Sequence, residues 1–167
     1  MAPTRQDCSW NHRAHLWGYN LSELHGYYLE DLSVGMSASY AKTVTDADVI
    51  LFAGISGDDN PIHINDDFAK DTIFKGRIVH GMFSAALISC VAGTRLPGPG
   101  AIYVDQYLRF KAPVRIGETV TARVTIKDVD KEKRRVIADT VCTVNGQTVV
   151  EGQATYMVNS REAVKAA

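Results

Sequence analysis

The order of apolar and polar positions predicts helices in the first part of the chain and strands in the last part. Residues 37–44 alternate loosely between polar residues and β-branched or aromatic ones, which predicts a strand. Thr45 follows as a helix cap, and apolar residues recur after it at helical spacing. We expect Gly54 and Gly57 to end this first helix.

Two further helices are predicted before the chain changes character. The stretch 65–70 indicates one short helical piece. The stretch 79–94, VHGMFSAALISCVAGT, is apolar nearly all round and rich in small residues, so this helix is expected to lie inside the fold and not along its edge. The proline- and glycine-rich residues 96–100 end it.

The last part of the chain predicts an antiparallel sheet. Candidate strands lie near Ile102 to Lys111, Thr119 to Asp130, Arg134 to Val144 and Thr148 to Val158. Asn145-Gly146 is a typical two-residue hairpin turn. One central helix followed by these strands indicates an α+β fold, in which a long sheet wraps around the helix. Because such a sheet has open edges, we expect a homodimer.

Composition narrows the class of protein. A chain of 167 residues with 46% hydrophobic and 22% charged residues suits one globular domain. A net charge of −1 gives no broad attraction to nucleic acid or to an anionic membrane. The longest apolar run, Met82 to Leu87, is too short to span a bilayer. Three widely spaced cysteines argue against a disulfide scaffold, so we expect a reducing, cytoplasmic location.

Within the amino-terminal arm, residues 1–26, the start from Met1 to Asn20 lacks the continuous apolar core of a secretory signal. The alternatives are a transit-like or a merely ragged extension. The arm does contain Trp10, Trp17 and Tyr19. Large aromatic side chains gain little in a disordered tail, so we expect the arm to pack on the body or on a second subunit.

The stretch Gly57-Asp58-Asp59-Asn60-Pro61-Ile62-His63 places a carboxylate and an imidazole five residues apart. Along a helix this separation would turn the two side chains about 140° away from each other. Asn60-Pro61 favours a bend that brings Asp58 and His63 together. The structural alternative is that Asp58 forms an Asx-turn and His63 is a hydrogen-bonded, partly buried histidine.

Three segments resemble a known family. They are Phe52 to His63 continuing to Ala69, Ile78-Val79-His80-Gly81-Met82, and Leu108 to Glu118. In this order they resemble the R-specific enoyl-CoA hydratases, a MaoC-like family. The similarity extends over a domain of residues 27–158, leaving the arm and a tail, 159–167, outside it.

The resemblance implies a hot-dog fold and a reaction. The reaction is reversible syn addition of water to a trans-2-enoyl-CoA, which gives an (R)-3-hydroxyacyl-CoA. The resemblance assigns catalysis to Asp58 and His63, a contact with the thioester oxygen to the N–H of Gly81, and a place in the site to Ser89. We count Asn60 with Ser89 as a substrate-binding candidate, and we expect it to orient the loop and not to react. Neither a metal nor a separate cofactor is expected, because coenzyme A is part of the substrate. Both polyhydroxyalkanoate precursor supply and fatty-acid metabolism use such a product.

An acyl-CoA thioester substrate carries several phosphates, which a nearly neutral protein has to bind with a local basic patch. Lys75 and Arg77 lie close in sequence to the predicted buried helix. Arg109, Lys111 and Arg115 are further candidates.

Other functions and roles compete with this interpretation. A hot-dog acyl-CoA thioesterase would share the fold and hydrolyse the ester, and a non-catalytic module would only bind acyl-CoA. A metal site built from Asp58, His63, His80 and Asp66 matches no common ligand spacing. Gly81 equally suits tight helix packing, and His80 equally suits a simple helix end.

Overall fold

The computed structural model describes residues 24–162, which form one antiparallel sheet with four α-helices. The helices are α1 (Asp46–Ser56), α2 (Pro61–Ile64), α3 (Asp66–Lys70) and α4 (Gly81–Thr94). The strands are β1 (Ser37–Thr43), β2 (Ile102–Phe110), β3 (Thr119–Asp130), β4 (Arg135–Val144) and β5 (Gln147–Met157). They are arranged in the order β1-β3-β4-β5-β2, and every neighbouring pair is antiparallel. The predicted α+β architecture is confirmed.

The strands follow the predicted alternation of buried and exposed residues. In β3, Val120, Ala122 and Val124 are buried while the residues between them are at least partly exposed. Asn145 and Gly146 both have positive φ angles, 50° and 81°, and they form the predicted tight turn between β4 and β5. The inward side chains form one core with α4.

Helix α1 begins at the predicted residue and ends at one of the two predicted glycines. Thr45 Oγ1 accepts a hydrogen bond from the N–H of Asp48, and the Asp48 carboxylate accepts one from the N–H of Thr45, which completes a capping box. Gly57, with φ of 75°, terminates the helix in the left-handed conformation. Gly54 lies within the helix, so its predicted role as a terminator is wrong.

Helix α4 lies across the sheet, with its bulky side chains against β3, β1 and β4. It begins at Gly81, two residues later than predicted. The expectation that it lies inside the fold holds for the side that faces the sheet. On the other side a row of α4 residues is exposed in the single chain: Met82, Ala86, Ser89 and Gly93. A sheet can cover only one side of a helix, so the opposite side of α4 needs another covering element.

Both ends of the described chain are attached to the body. The N–H of Gly26 donates to the carbonyl of Pro99 at 2.7 Å, and Tyr27 donates to Pro97 at 2.8 Å. Near the other end, the Arg161 guanidinium donates to the Asp31 carboxylate at 2.7 Å. The predicted packing of the three arm aromatics lies outside the described residues, and the boundaries at 26/27 and 158/159 stay predictions. Within residues 24–162, no helix combines the length and the hydropathy that crossing a membrane requires.

Val91 gives a direct test of how α4 packs on the sheet. This side chain is fully buried in the core. Val91→Ala is expected to lower the free energy of unfolding by about 2 kcal/mol, because deleting buried methyl groups leaves a cavity. Denaturant unfolding of the two proteins measures this difference in the free energy of unfolding. A difference below about 0.5 kcal/mol, the range of ordinary surface substitutions, would contradict this packing.

Candidate active site

The segment between α1 and α2 brings Asp58 and His63 to the same place. Gly57 ends α1 and turns the chain, and Asp58 follows in the connecting loop. Asn60 caps α2 by accepting a hydrogen bond from the N–H of Ile62, and Pro61 occupies the first helical position. The predicted bend at Asn60-Pro61 therefore takes the form of a helix start, and His63 projects from that short helix.

The His63 ring is fixed in one orientation and one tautomer. Its Nδ1 lies 2.8 Å from the carbonyl oxygen of Ile78. A carbonyl only accepts hydrogen bonds, so Nδ1 must carry the proton and, in the neutral ring, Nε2 has a free lone pair. That Nε2 lies 3.9 Å from Oδ2 of Asp58. The pair expected from the sequence is therefore assembled, with a gap between its two polar atoms.

The carboxylate of Asp58 belongs to a turn and to the pair at the same time. Its Oδ1 accepts a hydrogen bond from the N–H of Asn60 at 3.4 Å. This contact is the Asx-turn that the sequence offered as the alternative role of Asp58. Its Oδ2 is the atom that faces His63. The side chain of Asp58 is 53% exposed and that of His63 only 10%. In the single chain only His63 is buried, because Asp58 lies in a loop at the surface.

A cavity of about 470 Å³ opens in front of the pair. Most of its lining is apolar and comes from the residues before α4, from α4 and from the end of β2 and the loop after it. The lining residues that matter for the chemistry are Asp58, His63, Gly81, Ser84, Phe110 and Lys111. The space thus has one polar corner in otherwise apolar surroundings, as binding sites for small molecules commonly do.

Gly81 lies at the wall of this cavity, at the first position of α4. Its N–H and that of Met82 have no acceptor within the helix, and in the described part of the chain no side chain caps this helix end. A Cβ built on Gly81 would lie 2.8 Å from Cε1 of Phe110. Both interpretations of this glycine therefore have support: it packs tightly, and it leaves an uncapped helix start facing the cavity.

Ser89 lies apart from the catalytic pair, whereas Asn60 contacts Asp58 through its main chain only. Ser89 lines a second, almost wholly apolar cavity of about 510 Å³ between α4 and β2. Among the described residues, 24–162, Met82 alone lines both cavities. Ser84, on the inner side of α4, lines the first cavity instead. The side chain of Asn60 is used as the cap of α2 and does not line either cavity.

His80 is the residue whose surroundings sequence reasoning missed. Its Nε2 lies 2.9 Å from the carbonyl oxygen of Asp58, and its ring stacks on that of His63 with centroids 3.8 Å apart. The position directly before a helix start suggested only an end residue. A buried histidine next to a glycine at the start of an apolar helix was the available signal.

The candidate basic residues differ in how far they are free to bind phosphate. Arg77 is held between Asp46 and Asp66, with both ion pairs at 2.8 Å. Arg115 donates to the carbonyls of residues 74, 76 and 77. Lys111 lines the cavity and lies 3.4 Å from Glu151, whereas Lys75 is exposed.

Asp58, His63 and His80 place potential metal-ligating atoms within 4.8 Å of one another. Asp66, the fourth residue of the metal hypothesis, is paired with Arg77 instead. Each histidine also uses one ring nitrogen on a main-chain carbonyl. The remaining nitrogen of His80, Nδ1, is buried.

Comparison with known proteins gives one consistent family. Residues 33–150 match the family described as MaoC like domain. An (R)-specific enoyl-CoA hydratase of Rhodospirillum rubrum is 59% identical over 135 residues, covering 81% of this chain and 94% of that protein. A 3-hydroxybutyryl-CoA dehydratase of Methylorubrum extorquens is 46% identical, covering 85% of this chain and 90% of its own length.

Solved structures agree with the sequence comparison. The unliganded R-hydratase of Pseudomonas aeruginosa superposes with a TM-score of 0.76 at 40% identity, covering 80% of this chain and 86% of that one. The (R)-hydratase of A. caviae involved in PHA biosynthesis gives a TM-score of 0.75 at 38% identity, covering 77% of this chain and 98% of that one. The expected hot-dog fold is confirmed by these neighbours.

Arg115 provides a test of how the cavity wall is held. Arg115→Lys is expected to speed amide hydrogen exchange in residues 74–79 without unfolding the protein. The reason is that one ammonium group cannot replace a planar guanidinium that donates to three main-chain carbonyls. Hydrogen–deuterium exchange with mass spectrometry measures this exchange. Arg123→Lys is the control, since Arg123 is exposed on β3 and donates to Ser37 at 2.9 Å. Equal exchange in both variants would contradict the role given to Arg115.

Proposed function

The chain belongs to the MaoC-like domain family, and we propose that it is an R-specific enoyl-CoA hydratase. Its reaction is the reversible syn addition of water to a trans-2-enoyl-CoA, giving an (R)-3-hydroxyacyl-CoA. The observation that carries the proposal is the 3.9 Å gap between Nε2 of His63 and Oδ2 of Asp58, which opens on the cavity.

That gap suits one water molecule. A water at an ordinary hydrogen-bond distance of about 2.8 Å from each atom would bridge the two. Its oxygen attacks C3 of the substrate while one of its protons passes to the pair, the C3–O bond forms, and the π electrons move toward the thioester. The pair then delivers a proton to C2 of the enolate. Atoms and charge balance with no other reactant.

Negative charge develops on the thioester oxygen during this reaction. The uncapped start of α4 offers the N–H of Gly81 at the cavity wall, and the helix dipole adds positive potential there. Gly81 is therefore our proposed oxyanion donor. The absence of a side chain lets the substrate oxygen approach the N–H closely.

The two cavities suggest how the rest of the substrate is held. We assign the acyl chain to the path that leads past Met82 to the second cavity, where Ser89 would contact it. Lys111 is the proposed phosphate-binding residue, because it lines the first cavity, whereas Arg77 and Arg115 do not. Asn60 has the proposed role of shaping the catalytic loop.

The thioesterase alternative uses the same substrate and is separable by its product. Hydrolysis releases a thiol, whereas hydration removes the conjugated alkene and leaves the thioester intact. The inert-binder alternative predicts neither change. We propose that the reaction proceeds without a metal or a separate cofactor, in the cytoplasm, where Cys90 and Cys142 would remain the free thiols that the structure contains.

We also propose a homodimer that forms through β2. This strand is at one edge of the sheet, and several of its large apolar side chains are exposed: Ile102, Tyr103, Val104, Tyr107 and Phe110. The exposed side of α4 is continuous with it through the second cavity. A second copy would pair with this edge, cover the apolar surface and bury Asp58 further.

The proposed activity is tested with crotonyl-CoA. Wild-type protein is expected to remove the alkene absorbance without releasing thiol. Asp58→Asn and His63→Ala are each expected to lower turnover by about 10² to 10⁴, the range of general acid-base effects. Asp59→Asn, which alters the neighbouring exposed carboxylate, is the matched control and is expected to keep full turnover. Free thiol in step with substrate loss, or near-wild-type turnover in either pair variant, would refute the assignment.

The proposed dimer is tested by placing a charge on β2. Val104→Lys is expected to be a monomer, whereas the wild type is expected to be a dimer. A dimer of the variant would have to bury the lysine ammonium group in its interface. Analytical ultracentrifugation measures the mass. Val34→Lys is the control, since Val34 is 66% exposed next to the opposite sheet edge. A Val104→Lys protein that stays dimeric would exclude β2 as the interface.

A further inference from the structure

His80 is nearly completely buried, with 1% of its surface exposed. It occupies the position before α4 but makes no side-chain hydrogen bond to the start of that helix. Its side chain does not line the cavity. A simple helix-end role, as the sequence suggested, therefore does not describe its contacts.

The hydrogen bond of His80 determines which nitrogen carries its proton. Nε2 lies 2.9 Å from the carbonyl oxygen of Asp58, which only accepts, so Nε2 is the donor. The other nitrogen, Nδ1, is buried and has no hydrogen-bond partner among residues 24–162. A buried polar atom without a partner destabilises a fold. An apolar residue would avoid that cost, so stability alone does not account for an imidazole here.

The ring of His80 also contacts the other member of the catalytic pair. It stacks on His63 with centroids 3.8 Å apart and an interplanar angle of 28°. On α1, the ring of Phe52 packs against it at 5.1 Å, tilted by 55°. His80 thus contacts α1, the loop at Asp58 and α2, and all three meet at the start of α4.

We propose that His80 is a positioning residue for the Asp58–His63 pair, an inference that rests on the proposed function. Its Nε2–H fixes the main chain of Asp58, and its ring fixes the plane of His63. Together these contacts set the 3.9 Å gap that the attacking water has to fill. His80 itself touches neither the water nor the substrate.

Three substitutions separate the two contacts of His80. His80→Phe keeps an aromatic ring on His63 but removes the donor. His80→Gln keeps a donor near the position of Nε2 but removes the ring, and His80→Asn places its donor near Nδ1 instead. Val91→Ala is the control for a loss of stability alone. Val91 is buried in α4, about 16 Å along the helix axis from His80.

The expected results separate positioning from stability. His80→Phe should lower kcat for crotonyl-CoA hydration by about 10²-fold with little change in KM, since small misplacements of catalytic groups have effects of this size. His80→Gln should recover a large part of that loss and His80→Asn should not. Val91→Ala should keep its kcat when rates are scaled to the folded fraction. If His80→Phe does not fold, the comparison of kcat between His80→Gln and His80→Asn decides the question.

A second readout does not depend on activity. In ¹⁵N NMR of the full chain, the wild-type His63 ring should be one tautomer, protonated at Nδ1, because the His80 ring holds it in the orientation that bonds Ile78. His80→Asn removes that stacked ring, so His63 should become a mixture of tautomers. Wild-type kcat in His80→Phe, or equal kcat in His80→Gln and His80→Asn, would overturn the inference. A wild type that does not hydrate crotonyl-CoA would instead refute the proposed function, and the tautomer measurement would still decide the role of His80.

Discussion

The hydrogen bond between His63 and the carbonyl of Ile78 is the contact on which the site depends. It places the proton on Nδ1 and leaves the lone pair of Nε2 facing Asp58 across 3.9 Å. In the other tautomer Nε2 would carry a proton and could not accept one from water. If the ring turned over, Nε2 would no longer face Asp58. The proposed chemistry thus rests on a main-chain oxygen outside the catalytic pair.

That main-chain oxygen is held by the rest of the fold. Ile78 ends a loop whose carbonyls are bound by the guanidinium of Arg115, and the next residue, Val79, donates to Val114 at 2.8 Å. Behind this loop, α4 is fixed by its core contacts with the sheet. The sheet therefore positions three parts of the site: the loop that orients His63, the start of α4 at Gly81, and the end of β2 that carries Phe110.

Much of this arrangement could be predicted from the sequence because it has local causes. The Thr45 cap, the Asn145-Gly146 turn and the alternation in β3 each act within a few residues and were predicted correctly. The approach of Asp58 to His63 followed from proline restricting Asn60. The contacts of His80 with Asp58 span 22 residues and have no periodic signal, so they could not be predicted. The exposed side of α4 was also missed, since an apolar pattern does not tell whether the cover comes from the same chain.

The central claim is that one pair of groups, on one side of the substrate, both activates the water and protonates C2. Hydration of crotonyl-CoA in D₂O tests it, with the product analysed by NMR after conversion to a cyclic derivative. Deuterium at C2 on the same face as the new oxygen, together with R configuration at C3, is the predicted result. Deuterium on the opposite face would contradict the claim, because it would require an acid and a base on two sides of the substrate.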